Sequence, residues 1–189
     1  MKRALVVIDF INDIVDPNGK IPSCAQQVTA NSTIEHANRT ISWARENDIP
    51  CIFVKVGFQS NYLDLPRHSP IFGKADTIGA LDLNGWGTQF HQDLAIEEND
   101  LVICKPRVNP FHNTQLDSVL SANNITDIYL CGVSTTWAIQ SAVRDAHDRD
   151  YQVHIISDAC AAATEEEHQD SLTMLSRLAT LHKSDELNS

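Results

Sequence analysis

Ala4-Leu5-Val6-Val7-Ile8 is an unbroken apolar run that stops at an acid, Asp9. A strand with one wet face alternates apolar and polar residues. A strand without that alternation is covered on both faces, which is the habit of parallel sheets. Similar runs recur at 50–57, 101–104, 128–132 and 152–158. Helix-compatible segments lie between them. Ile34, Ala37, Ile41 and Ala44 mark an amphipathic helix over 31–47. A short helix is expected over 114–123 with Thr114 as its cap, and another over 136–149. A last helix opens at Thr164-Glu165-Glu166-Glu167 and runs to about residue 181, with 183–189 expected to fray. Strands alternating with helices predict a three-layer α/β/α fold, Rossmann-like, with a mostly parallel sheet in one domain spanning 1–189.

Charge and cysteine content narrow the function classes. The formal net charge is −11, which disfavours nucleic acid and anionic membrane surfaces as partners because nothing offsets phosphate repulsion. No segment approaches the roughly 20 apolar residues of a membrane span. Met1-Lys2-Arg3 leads straight into the first strand without a signal-peptide pattern, so the cytoplasm is the expected address. The five cysteines are odd in number and widely spread, which is poor material for a disulfide framework. Cys51, Cys104, Cys131 and Cys160 lie in or beside apolar runs and are read as small buried hydrophobes.

Open α/β sheets place their ligands at the carboxyl ends of the strands. Three strand ends carry candidate chemistry: Asp9, Lys105, and the turn Gly132-Val133-Ser134-Thr135-Thr136-Trp137-Ala138. In a parallel sheet all three open on one edge and share a crevice. An acid beside a lysine in a dry pocket keeps both charged and can move protons or position water. The alternative is a set of ordinary strand-end charges and a plain βα loop. The segment 58–86 has no clear period and carries Tyr62, Phe72 and Trp86, as a packed lid or pocket wall would.

These motifs, in this order, resemble the isochorismatase-like hydrolases, a group that includes nicotinamidases, N-carbamoyl amidohydrolases and isochorismatases. The resemblance rests on Val-Val-Ile-Asp9-Phe-Ile-Asn12-Asp13, on Lys105-Pro-Arg-Val-Asn-Pro-Phe111 with Thr114 beyond it, on Gly132-Val133-Ser134-Thr135, on Arg144-Asp145-Ala146 and on Asp158-Ala159-Cys160-Ala161. It covers nearly the whole chain. It implies Asp9 as acid/base, Lys105 as the charge-stabilising cation and residue 138 as the place of a cysteine nucleophile. Here that residue is Ala138, and alanine forms no thioester. Three readings stay open: a hydrolase without a covalent step, as in isochorismatases, which cleave a vinyl ether; a thiol replaced to inactivate an amidohydrolase; or a binding or assembly module that has lost catalysis. The resemblance also implies a cis peptide between Val133 and Ser134, an oxyanion hole built from the backbone N–H groups of Ser134 and Ala138, and a homodimer or larger assembly.

The expected substrate is a small carboxylated or amide-bearing molecule. Phe10, Phe58, Tyr62, Trp86, Phe111 and Trp137 are candidate contacts because each is an aromatic beside a strand end or in the long loop; core packing is the alternative for each. Arg107 is a candidate for gripping a substrate carboxylate, or else a solvated arginine. No metal and no cofactor is expected. The eight histidines show no paired ligand spacing; His68, His91, His112, His147, His154 and His168 are read as loop or exposed positions. Gly85-Trp86-Gly87 is too short for a phosphate cradle.

Overall fold

The computed structural model describes residues 1–187. Six strands form one sheet: β1 (Arg3–Ile8), β2 (Cys51–Val56), β3 (Leu101–Lys105), β4 (Asp127–Val133), β5 (Gln152–Ala161) and β6 (Thr180–His182). Every pairing is parallel, and the spatial order is β3-β2-β1-β4-β5-β6. The helices are α1 (Asn12–Val15), α2 (Ala25–Ala30), α3 (Thr33–Glu46), α4 (Ala75–Ile78), α5 (Leu116–Ala122), α6 (Gln140–Asp148) and α7 (Glu165–Leu175). From β1 the chain works outward one way to β3, then returns and works outward the other way from β4 to β6. Right-handed crossovers run in opposite directions place helices on opposite faces, which gives the three layers.

The apolar run at the start of the chain becomes the centre of the sheet. Ala4, Leu5, Val6, Val7 and Ile8 are all fully buried, with β2 on one side and β4 on the other. The reversal of strand order falls between β1 and β4, where doubly wound sheets open their ligand crevice. Close contact there depends on Gly132, near the end of β4 and paired with Ile8. Its φ is +133°, and a methyl group on it would lie 2.0 Å from the Ile8 carbonyl oxygen.

Several expectations are corrected. The final helix stops at Leu175, and residues 180–182 form the edge strand β6 instead. The tail beyond it is tied down as far as it is described. Ser184 is buried, its N–H and hydroxyl both donate to the Asp158 carboxylate at 2.9 Å, and Leu187 packs on the core. Residues 188–189 lie outside the described residues. The helix expected over 136–149 begins as a wider turn, Thr135–Ile139, before α6. The short helix starts at Leu116 with Gln115 in the capping position, while Thr114 Oγ1 accepts from the Leu116 N–H at 3.2 Å. Cys104 is exposed because β3 is an edge strand, and Cys51 is half-buried. His168 is buried, and His154 stacks on Tyr129 with ring centroids 4.4 Å apart.

Replacing Gly132 with alanine is expected to lower the unfolding free energy by roughly 3 kcal/mol or more. The backbone conformation is costly for an L-residue, and the added carbon also strikes the neighbouring strand. Urea denaturation of Gly132→Ala beside the parent measures it.

Candidate active site

The chain leaves β1 through Asp9, whose φ of +58° turns it out of the strand direction. Its N–H donates to the Val54 carbonyl at 2.8 Å, so the backbone is fixed by the neighbouring strand. One carboxylate oxygen accepts the Val56 N–H at 2.8 Å, and the other lies 2.7 Å from Lys105 Nζ. Lys105 is the last residue of β3, so acid and cation reach each other across the end of β2. Both side chains are almost completely buried, at 4% and 1% exposure. Burial pushes the Asp9 carboxyl above its ordinary value, against the pull of the Lys105 charge and the hydrogen bonds it receives.

An ammonium group has three protons to donate. Lys105 directs its protons to Asp9 and to the carbonyls of Arg107 at 3.2 Å and Val108 at 3.0 Å. Its donor capacity is therefore spent on the protein. It acts as a fixed positive charge that holds the Asp9 carboxylate in place.

The turn after β4 faces this pair. The peptide bond between Val133 and Ser134 is cis. The Ile139 N–H reaches the Ser134 carbonyl at 3.1 Å and the Gln140 N–H reaches that of Thr135, so the first turn is wound five residues wide. Ser134 caps it, its hydroxyl accepting from the Trp137 N–H at 3.2 Å. Among the described residues, neither the Ser134 nor the Ala138 N–H donates to a carbonyl beyond the turn itself. Thr135, fully buried, is held from behind by a 2.7 Å contact between its Oγ1 and His168 Nδ1 of α7.

Asp9, Lys105, Val133, Ser134, Trp137 and Ala138 border one cavity of about 100 Å³. Its remaining wall is mostly hydrocarbon, from Ile14, Ile21, Val56, Ile71, Phe72, Leu81 and Val108, with Ser23 at the rim. A larger groove, about 600 Å³, lies elsewhere, along β5 and α7. It brings no buried acid and cation together, so the chemistry converges on the smaller cavity.

Of the nominated aromatic contacts only Trp137 borders the cavity, on its rim and 57% exposed. The others have different work. Phe10 is fully buried in the core. Phe58 packs edge-on against Phe72 at 5.6 Å and so supports the wall from behind. Tyr62 is buried and its hydroxyl donates to the Ala80 carbonyl at 2.8 Å. Trp86 lies half-exposed beside a separate pocket of about 180 Å³. Phe111 stacks on Tyr151 at 6.2 Å and under the Arg149 guanidinium at 4.9 Å. Arg107 is turned away, its guanidinium donating to the carbonyls of Asp64 and Pro106. Among the described residues, no cation besides Lys105 borders the cavity.

Sequence reasoning missed the pin that holds the wall. Asp13 is buried, and its two carboxylate oxygens accept the N–H of Lys20 at 3.0 Å and of Leu81 at 2.7 Å. Asn12 adds a bond to the Trp86 carbonyl at 3.0 Å. The fold closes tightly around this pin. A side chain on Gly87 would strike the Asp13 carboxylate, and one on Gly19 would strike the Asn12 and Asp13 carbonyls. Among the described residues no three His, Cys, Asp or Glu side chains gather to hold a metal ion. No helix there is long and apolar enough to cross a membrane.

A doubly wound parallel sheet with a buried acid–ammonium pair at the carboxyl ends of its strands, beside a widened turn, defines a three-layer α/β protein with a candidate active site at the sheet edge. The sequence model of the isochorismatase domain matches residues 3–186, and the chain belongs to the isochorismatase family, a family of hydrolases. The YecD protein of Escherichia coli O157:H7, an isochorismatase family protein, is 29% identical over 97% of this chain and 93% of its own. A ureidoacrylate amidohydrolase of Yersinia enterocolitica is 30% identical over 82% of this chain and 74% of its own. In fold the chain is similar to an isochorismatase family protein from Desulfovibrio vulgaris, with a TM-score of 0.88 at 19% identity, covering 99% of this chain and 96% of the other. It is also similar to N-carbamoylsarcosine amidase from Thermoplasma acidophilum, with a TM-score of 0.76 at 24% identity and 98% of both chains covered.

Removing the cation while leaving the buried acid is expected to be costly. Lys105→Met should lower the unfolding free energy at neutral pH by about 3 to 5 kcal/mol. A carboxyl whose folded pKa lies above its unfolded value carries its penalty while ionised and sheds it as pH falls through the folded value. The deficit of Lys105→Met is therefore expected to shrink on acidification, and to shrink at all pH values in the double variant with Asp9→Asn. Denaturant titrations at neutral and mildly acidic pH measure both.

Proposed function

We propose that the chain hydrolyses a small amide by direct attack of water, with Asp9 as the base and no covalent enzyme intermediate. The observation that carries this reading is the buried contact of 2.7 Å between Asp9 and Lys105, opening on the cavity beside the methyl group of Ala138. By resemblance residue 138 is where relatives place a thiol, and a methyl group in its place leaves the carboxylate free to hold a water molecule. The amidohydrolase named among the relatives supports an amide as the bond broken.

In this reading the ionised Asp9 takes a proton from water as the water oxygen bonds to the carbonyl carbon. Negative charge gathers on the carbonyl oxygen and is met by the N–H groups of Ser134 and Ala138. The carbon–nitrogen bond then breaks, and the proton held by Asp9 passes to the departing nitrogen. The products are a carboxylic acid and ammonia or an amine, and Asp9 returns to its starting state. Lys105 orients the carboxylate and favours its charged form. Burial works the other way on the charge, and so makes the carboxylate a stronger base than one in water.

Two outcomes follow, read on a panel of small primary amides. Asp9→Asn is expected to lower kcat/KM by about 10²- to 10⁴-fold, and turnover that survives this change rejects Asp9 as the base. In the parent, kcat/KM is expected to rise with pH through the pKa of Asp9, above that of an ordinary aspartate, because the base works only when ionised; a rate that falls over that interval rejects the assignment. Ligand binding without turnover across the panel would mark the chain as a binding module on this scaffold.

A further inference from the structure

The cavity wall says what kind of molecule it accepts. We infer that the site takes an uncharged amide with a compact apolar body and turns away molecules that carry a carboxylate; this rests on the hydrolytic reading above.

Charge supplies the first argument. One anion and one cation border the cavity, and they neutralise each other across 2.7 Å. Lys105 has no proton left for a guest, since its remaining donors go to the Arg107 and Val108 carbonyls. Arg107, the nearest further cation in sequence, is engaged by the carbonyls of Asp64 and Pro106. A substrate carboxylate would thus leave water for a space with no counter-charge, next to the Asp9 anion it repels. The chain's net charge of −11 opposes its approach from a distance as well.

Surface and size supply the second argument. Apart from the ion pair and the turn, the wall is mostly branched aliphatic and aromatic, including Ile14, Ile21, Ile71, Phe72, Leu81 and Val108. Hydrocarbon on a guest gains by burial against it, at roughly 25 cal/mol per Å² removed from water. The cavity is small, about 100 Å³, so the part of a guest that it encloses is compact. The reacting carbonyl then meets the N–H groups of the turn, and the hydrocarbon meets the isoleucines.

The test compares two amides of the same shape. Isovaleramide and malonamate have equal numbers of non-hydrogen atoms; two methyl groups in the first replace two carboxylate oxygens in the second. The parent protein is expected to show at least about tenfold higher kcat/KM on isovaleramide, a difference of about 1.4 kcal/mol or more. Ile71 is half-exposed on the rim, so Ile71→Arg adds a guanidinium there with little burden on folding and should narrow or reverse the preference. Equal or faster turnover of malonamate by the parent overturns the inference and leaves the hydrolytic reading standing. If neither amide is turned over, the hydrolytic reading falls, and calorimetric titration of the same two compounds still decides the inference: tighter binding of isovaleramide upholds it, while tighter or equal binding of malonamate, or no binding of either, overturns it.

Discussion

The site depends on a carboxylate and an ammonium group that have both left water. Taking either alone into a nearly dry interior would be strongly unfavourable, and their mutual attraction offsets that only with good geometry and further hydrogen bonds. Both conditions are met. Asp9 receives a backbone N–H as well as the ammonium, and Lys105 has two carbonyls besides the carboxylate. The partners come from strand ends separated by β2, so their meeting requires the parallel register of three adjacent strands.

The turn after β4 is the second half of the arrangement, and it is built differently. Its groups belong mainly to the backbone, aimed by a cis peptide, a wide helical turn and a capping serine. Contact with α7 through Thr135 and His168 anchors it from the far side. Gly132 lets the strand bearing this turn lie close against β1. In the proposed reading the turn acts through main-chain atoms, and a change of side chain at 138 leaves the N–H group there in place. That is why an alanine leaves the frame of the site in place.

The sheet was legible because a continuous apolar run has few alternatives, and the positions of Asp9, Lys105 and the turn followed from the rule that parallel strands open their crevice at one end. The wall was not legible. An aromatic ring beside a strand end packs inward or outward according to how the loop closes. Phe10 and Phe58 went inward, while Phe72 and the plain aliphatics Ile71 and Leu81 became wall. Nothing in an isoleucine announces this. The strand Thr180–His182 is three residues long and half-exposed, too short to carry a pattern. Asp13 was missed because its partners are main-chain N–H groups, which look alike in every sequence.

Asp13 grips Leu81 and Lys20 by their backbones. An attachment of this kind does not by itself select what the gripped residues carry. Packing does select among the residues between Phe58 and Trp86: Tyr62, Leu65, Phe72, Ala75, Ala80 and Leu81 are buried. The positions of this stretch open to change are those on its surface and on the cavity rim, such as Ile71. In the proposed reading, a substitution at such a rim position changes what the cavity admits while the buried Asp9–Lys105 pair stays as it is.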